Sequence, residues 1–394
     1  MIIQGFKTAA VAAGIKYQGR LDLGLIFCEK PAVCAGVFTT NQVKAAPVVL
    51  DQERLKQGRA QAILVNSGCA NACTGEPGMA AALKSGALCA RALGIPEEMV
   101  LLSSTGVIGA PLNMQAIEQA IPGLTASLGE ENFDLVSRAI MTTDTVPKTV
   151  QRIVQIGGKE VRLMGMAKGA GMIMPNMATM LAFVITDAQI GFPQLHGALV
   201  KGVERTFNRI TIDGDTSTND MVLVMASNAA DNAWIDEENV AGLRIFEDAL
   251  EDLLKDLALQ IVSDGEGATK TITIRVCNAR SEEAAEQIAR TVANSSLVKT
   301  AFFGEDANWG RIFAAMGRSG VRFTPERVDI AFGDVVIVRD GLAVGGDSEA
   351  RAAEVLKERQ IPVSIDLKEG AGCVEVYTCD FSVDYVKINA DYRT

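Results

Sequence analysis

The chain is predicted to be an α+β protein of two lobes with a layered, mixed-sheet architecture. Three observations carry that expectation. Apolar runs short enough to be strands come in clusters, with helical stretches between the clusters rather than after every strand, unlike a regular βαβ barrel. The 394 residues are 48% hydrophobic, enough to build sizeable cores in two or three lobes. No internal repeat, low-complexity tract or Pro/Gly/Ser linker interrupts the chain.

In order from the amino terminus, residues 23–28, 35–39 and 46–50 alternate with glycine and proline and read as sheet. They lead into a buried strand at 61–66. The loop 66–75 is made of small residues, which suits close approach of backbone to a ligand and equally suits tight packing. A helix at 79–93 is closed by Gly94 and Pro96. A strand at 100–102 then runs into Ser-Ser-Thr105-Gly106. That turn could aim backbone N–H groups and one hydroxyl at a developing oxyanion, or be an ordinary turn. Helices are expected at 111–120 and 132–140. Met141-Thr142-Thr143-Asp144-Thr-Val-Pro-Lys148 follows, where capping, turning and binding are all open. Strands at 150–156 and 161–166 form a hairpin through Gly157-Gly158 and deliver Lys168, which alone would pass for a solvated loop lysine.

Residues 168–187 are the centre of the chain. A small, uncharged stretch rich in glycine and methionine passes a Pro175-Asn176 breaker and switches at Met180 to the apolar strand 181–187. Thr179 lies at the switch, preceded by Ala178. A hydroxyl at the mouth of a core strand is a place for a nucleophile, although threonine also suits strands for structural reasons. The only histidine, His196, lies in a helix expected at 192–207, with nothing around it to suggest a Ser-His-Asp or Cys-His relay. Any acyl-transfer chemistry therefore needs another base. A threonine freed at its own α-amine would supply one, with a reference pKa of about 7.7 to 8.0.

Beyond this, residues 210–220 form a polar run of hydroxyls and carboxylates. Counted from Asp213, its twelfth position is Val224 rather than the glutamate of a calcium loop, so a polar loop beside the nucleophile is the reading. A strand at 221–226 and an acidic helix at 237–259 precede Gly-Glu266-Gly. That glutamate either points into a cleft or sits in a solvated turn. A strand at 271–276 and a helix at 281–297 follow, the latter with Glu282 and Glu283 in its first turn. Lys299–Arg311 leads into another helix, and three or four strands with a helix at 348–358 fill 328–379. The tail, with two tyrosines and a strand before it, is expected to be tied down.

Composition excludes several function classes. A net charge of -11 without a block of like charge argues against nucleic acid or anionic membrane as the main partner. The first residues do not read as a signal peptide and no apolar run approaches ~18 residues, so a cytoplasmic protein is expected. The eight cysteines are scattered, and Cys69 and Cys73 lack a second pair or a nearby histidine. No metal is expected, and most cysteines should be reduced core thiols.

Lys168-Gly-Ala-Gly-Met, Pro175-Asn176-Met-Ala178-Thr179-Met-Leu-Ala and the run Lys299–Arg311 resemble the bifunctional ornithine acetyltransferases (glutamate N-acetyltransferases) of arginine biosynthesis. The resemblance extends through most of the chain. It implies self-cleavage between Ala178 and Thr179 into chains 1–178 and 179–394, with Thr179 as nucleophile. It further implies an oxyanion hole at Thr105 and Gly106, and substrate binding by Thr142, Lys168, Thr179, Glu266, Asn389 and Thr394. Thr143 stays open beside Thr142. The implied reaction is acetyl transfer from N-acetylornithine to glutamate, with acetyl-coenzyme A as a possible second donor and no other cofactor. The implied assembly is two chains of each kind. The rival readings are an amino-terminal-nucleophile hydrolase or aminopeptidase using water, and a binding protein with an inert threonine.

Overall fold

The computed structural model describes residues 1–174 and 180–391. The predicted cut at Ala178–Thr179 and the final residue Thr394 lie outside the described residues. The chain forms two compact units, one of residues 1–208 and 215–261, the other of 209–214 and 262–394. This division into compact units does not coincide with the predicted cut.

The first unit is organised on an eight-stranded mixed sheet. Its strands are β1 (Phe6–Val11), β2 (Leu23–Phe38), β3 (Arg59–Asn66), β4 (Val100–Ser104), β5 (Lys148–Ile156), β6 (Lys159–Lys168), β7 (Leu181–Thr186) and β8 (Met221–Ala226). The order is β4-β3-β2-β8-β7-β6-β5, with β1 alongside β2. β3 with β4 and β7 with β8 are parallel pairs, and the rest are antiparallel. Residues 23–28 and 35–38, read separately in the sequence, belong to the single long strand β2, whose pairing with β3 shifts register between Phe27 and Ala32; Thr39 lies just beyond it. β7 and β8 are buried at every position, which explains why both read as continuous apolar runs.

Helices α1 (Ala46–Arg54), α2 (Gly75–Leu93), α3 (Met114–Ala126), α4 (Phe133–Ala139), α5 (Phe192–Arg205) and α6 (Val240–Ser263) complete this unit, the last two residues of α6 entering the second. Residues 46–50 are thus helix, not sheet. Pro47 occupies the first turn, where its missing N–H costs nothing, and Val48 and Asp51 face inward. The helix expected at 111–120 begins instead at Met114, capped by Asn113, and continues through Pro122. Ile117, Ile121 and Leu124 pack with Leu23, Leu64 and Leu102 in a core that α2 also covers.

The second unit holds a six-stranded sheet in the order β12-β11-β10-β13-β9-β14. These are β9 (Thr271–Ala279), β10 (Asp329–Phe332), β11 (Val335–Arg339), β12 (Leu342–Ala343), β13 (Gln360–Asp366) and β14 (Gly372–Cys379). The region 328–379 thus carries five strands rather than three or four. The stretch 281–297 is two helices, α7 (Glu282–Ala293) and α8 (Ser296–Phe303), separated at Asn294–Ser295; Ser281 caps the first through the Ala284 N–H. α9 (Trp309–Gly317), α10 (Ser348–Val355) and α11 (Val383–Ala390) follow. Ile274, Val276, Ile288, Val292, Phe332 and Ile365 lie in one core. The described part of the tail after β14 carries the helix α11. Cys277 on β9 and Cys373 on β14 are joined by a disulfide, while six cysteines are thiols and only Cys73 among them is exposed. Among the described residues no helix is long and apolar enough to cross a membrane.

Candidate active site

The turn after β4 is shaped by close packing. Thr105 N–H donates to the Asn66 carbonyl at 3.0 Å, and Val107 N–H to that of Gly68 at 3.3 Å, so the turn lies on the small-residue loop after β3. Gly106 has φ +130°, and a Cβ there would stand 2.4 Å from the Gly68 carbonyl carbon and 2.7 Å from the Cys69 nitrogen. No other residue fits. Asn66 accepts from Ser104 Oγ at 2.6 Å and donates to the Cys69 carbonyl at 2.9 Å. Asn219, two residues before β8, donates to the carbonyls of Ala70 at 2.6 Å and Ser104 at 2.8 Å. The loop therefore serves tight packing and holds the turn rigidly.

Lys168, the last residue of β6, reaches this turn. Its Nζ donates to Thr142 Oγ1 at 2.8 Å and to Thr105 Oγ1 at 3.3 Å. It is only 9% exposed, so the solvated-lysine reading is set aside. An ammonium has donors only, so both threonine oxygens accept from it, and each hydroxyl hydrogen is left to be donated elsewhere. Thr105, Gly106, Thr142 and Lys168, distant in sequence, are thus brought together within the first unit.

Behind them lies a carboxylate to which sequence alone assigns no role. Asp144 Oδ1 accepts from Lys148 Nζ at 2.8 Å and from Gly169 N–H at 2.7 Å, while Oδ2 accepts from Thr142 N–H at 3.0 Å. The Lys168 ammonium stands 4.0 Å from Oδ2. The Asp144 and Lys148 side chains are wholly buried. Burial pushes the Asp144 carboxyl up, but the Lys168 and Lys148 charges, with the bonds from Lys148 and Thr142, outweigh it and hold the group at about 2. Arg20 Nη2 ties the start of this loop down through the Met141 carbonyl at 2.6 Å. The only sequence signal for this arrangement is an aspartate and a lysine four residues apart in a threonine-rich loop.

Residues 215–220 of the polar run before β8 contribute in the same unit. Thr216 Oγ1 donates to the Met174 carbonyl at 3.0 Å, and residue 216 bridges to Ile173, so the run lies against the last described residues before the predicted cut. Asp220 is buried, and among the described residues its Oδ2 has no hydrogen-bond partner. Burial drives its carboxyl well above the usual range, against the opposing pull of Ser217 and Lys168. His196 is exposed on α5 beside the Phe192 ring, at 5.7 Å between centroids.

The second unit places Glu266 and Asn389 together: Asn389 Nδ2 donates to Glu266 Oε2 at 2.8 Å. Glu266 is 6% exposed, so it is not a solvated turn residue. Gly267 beside it has φ +67°, and a Cβ would stand 2.5 Å from the Tyr385 nitrogen at the start of α11. Asp380 accepts from the N–H groups of Thr269 and Lys270, both at 2.8 Å, and fixes the far side of the loop. The run Lys299–Arg311 braces the same region: Glu305 pairs with Lys270 at 3.1 Å, and buried Lys299 donates to Thr378 Oγ1 at 2.7 Å and to the Cys379 carbonyl. Among the described residues no group of three or more His, Cys, Asp or Glu could hold a metal ion.

Comparison with known proteins places the chain among the acetyl-transferring enzymes of arginine biosynthesis. The ArgJ family model matches residues 7–394, and the chain belongs to that family. It is 64% identical to the arginine biosynthesis bifunctional protein ArgJ of Desulfotalea psychrophila over 394 residues, covering all of both chains. The protein of the same description from Geobacter sulfurreducens is 52% identical over 394 residues, again across both whole chains. A crystal structure of arginine biosynthesis bifunctional protein argJ from Bacillus halodurans matches with 44% identity and a TM-score of 0.51, over 53% of this chain and 97% of that one.

Proposed function

We propose that this chain cuts itself between Ala178 and Thr179 and that the new amino-terminal threonine carries an acetyl group from N-acetylornithine to glutamate. The observation that supports this best is the Lys168–Thr142–Thr105 cluster, in which the ammonium leaves the Thr105 hydroxyl free to donate next to Gly106. The cut has support from the relative of Bacillus halodurans. Its solved chain is little more than half as long as this one, the proportion expected of the 216 residues from Thr179 to Thr394 (394 − 178).

In maturation the Thr179 hydroxyl attacks the Ala178 carbonyl. A C–O bond forms and the C–N bond breaks, which frees the α-amine with the hydroxyl proton; water then hydrolyses the ester, releasing the Ala178 carboxylate and restoring the Thr179 hydroxyl. That amine takes the hydroxyl proton as Thr179 attacks the acetyl carbonyl of N-acetylornithine. The oxyanion is received by Thr105 and Gly106, and ornithine leaves with a proton on its amine. The amine of glutamate then attacks acetyl-Thr179, and N-acetylglutamate departs. Lys168, with Thr142 beside it, pairs with the substrate carboxylate. Glu266, held by Asn389, takes the ornithine ammonium, and Thr394 completes the substrate contacts. The relatives are described as bifunctional, and acetyl-coenzyme A is the second donor we assign here, with no other cofactor. The working form is cytoplasmic, with two chains of each kind.

Intact mass under denaturing conditions tests the first step: pieces of 178 and 216 residues, the second beginning at Thr179, are expected. Initial rates should give ping-pong patterns in N-acetylornithine and glutamate. A chain that stays whole, or kinetics through a ternary complex, overturns the scheme.

A further inference from the structure

Two lysines and one carboxylate share a water-poor pocket behind Thr105, and their distances are unequal. Lys148 Nζ lies 2.8 Å from Asp144, whereas Lys168 Nζ lies 4.0 Å from it and 2.8 Å from Thr142 Oγ1. A carboxylate attracts an ammonium far more strongly than a hydroxyl does when both are out of water. Lys168 is nevertheless directed to the threonines. Lys148 and Gly169 N–H fill Asp144 Oδ1, and Thr142 N–H takes Oδ2. Lys148 rises from the first residue of β5, and Lys168 ends β6, the antiparallel partner of β5 with Lys148 opposite Ala167. The two ammonium groups therefore approach the carboxylate from neighbouring strands.

From this we infer that Lys148 is a positioning residue of the acyl-transfer site: by occupying Asp144 it keeps the Lys168 ammonium on the hydroxyls of Thr105 and Thr142. The inference rests on the acyl transfer proposed above. Without Lys148, Lys168 closes the gap to Asp144, and Thr105 loses the partner that makes its hydroxyl a donor toward the oxyanion. The loss of the oxyanion donor falls on kcat, because the oxyanion exists only in the transition state, while the withdrawal of Lys168 from the substrate carboxylate falls on KM.

The test uses the whole protein with N-acetylornithine and glutamate, with rates normalised to the acetyl-enzyme counted by intact mass. Acetyl transfer by the unaltered protein comes first, since its absence would remove the functional reading rather than this inference. Lys148→Met is then expected to lower kcat about 100-fold, in line with loss of an oxyanion donor, and to raise KM as well, because the same Lys168 pairs with the substrate carboxylate. Lys148→Met with Asp144→Asn removes the charge that draws Lys168 away while leaving an oxygen for Gly169 N–H. It is expected to recover at least about tenfold in kcat relative to the single variant. A folded Lys148→Met with native kcat overturns the inference, and so does a double variant as slow as the single one. If the single variant does not fold, the double variant decides alone: kcat within about tenfold of the unaltered protein supports the inference, and a loss of about 100-fold or more overturns it.

Discussion

Asp144 and Asp220 are both buried carboxylates of the first unit, both feel Lys168, and their pKa values move in opposite directions. Asp144 receives an ammonium and two backbone N–H groups and is held at about 2. Asp220 keeps one oxygen without a partner among the described residues, and burial pushes it well above the usual carboxylate range. Depth is common to both, so depth does not set the charge. The two ammonium charges beside Asp144, together with the bonds it accepts, set it apart from Asp220. One acid is held low beside two lysines, and burial pushes the other up.

The largest expected break of this contrast is Lys148→Met. Removing Lys148 takes one of two ammonium groups from the wholly buried Asp144 and leaves Lys168 as its counter-charge, so a loss in unfolding free energy below the roughly 3–5 kcal/mol of a fully unpaired buried charge is expected from denaturant titration. Adding Asp144→Asn should return most of that loss. A second, smaller effect concerns acid. With its folded value below the unfolded one, Asp144 contributes stability that is fully present above about pH 4 and lost as pH falls through about 2. Stability measured across that window should drop by roughly 2–3 kcal/mol, and the Asp144→Asn, Lys148→Met protein should lack this component. The smallest effect has the reverse sign. Asp220, raised on folding, contributes stability present below the unfolded value and lost as pH rises through the folded one. Asp220→Asn should therefore be the more stable protein at neutral pH, by about 1 kcal/mol in thermal unfolding, and the advantage should vanish near pH 4. An advantage of Asp220→Asn over the unaltered protein that is the same at both pH values would overturn the raised pKa of Asp220.

How far these features are legible in the sequence depends on whether their cause is local. β7 and β8 can be read because strands buried on both faces are apolar throughout. Thr105-Gly106 can be read as a turn, and the resemblance supplies its role. The helix at 46–54 is misread as sheet because Val48, Val49 and Leu50 look like a strand, while Pro47, its real signal, also marks loops. Lys148 and Asp144 give no sign of burial, since a charged pair in a threonine-rich loop is ordinarily solvated. Only the pairing of β5 with β6 and the long reach of Lys168 enclose them. The Cys277–Cys373 pairing is likewise a product of topology, because 96 residues separate cysteines that β9 and β14 bring together.

The strand order of the first sheet bears on how such a protein could ever be remade. β7 and β8 follow residue 178 in sequence, yet they lie between β2 and β6, both of which precede it. A chain cut after Ala178 would be a sheet whose two central strands belong to a different molecule from their neighbours on either side. The uncut polypeptide finds that arrangement as a single-chain search, whereas the severed pieces would have to find it by collision, with bare apolar edges exposed to self-pairing in the meantime. Once processed, the protein would be assembled only once. Its persistence would then be governed by how slowly it opens and not by an equilibrium it could return to.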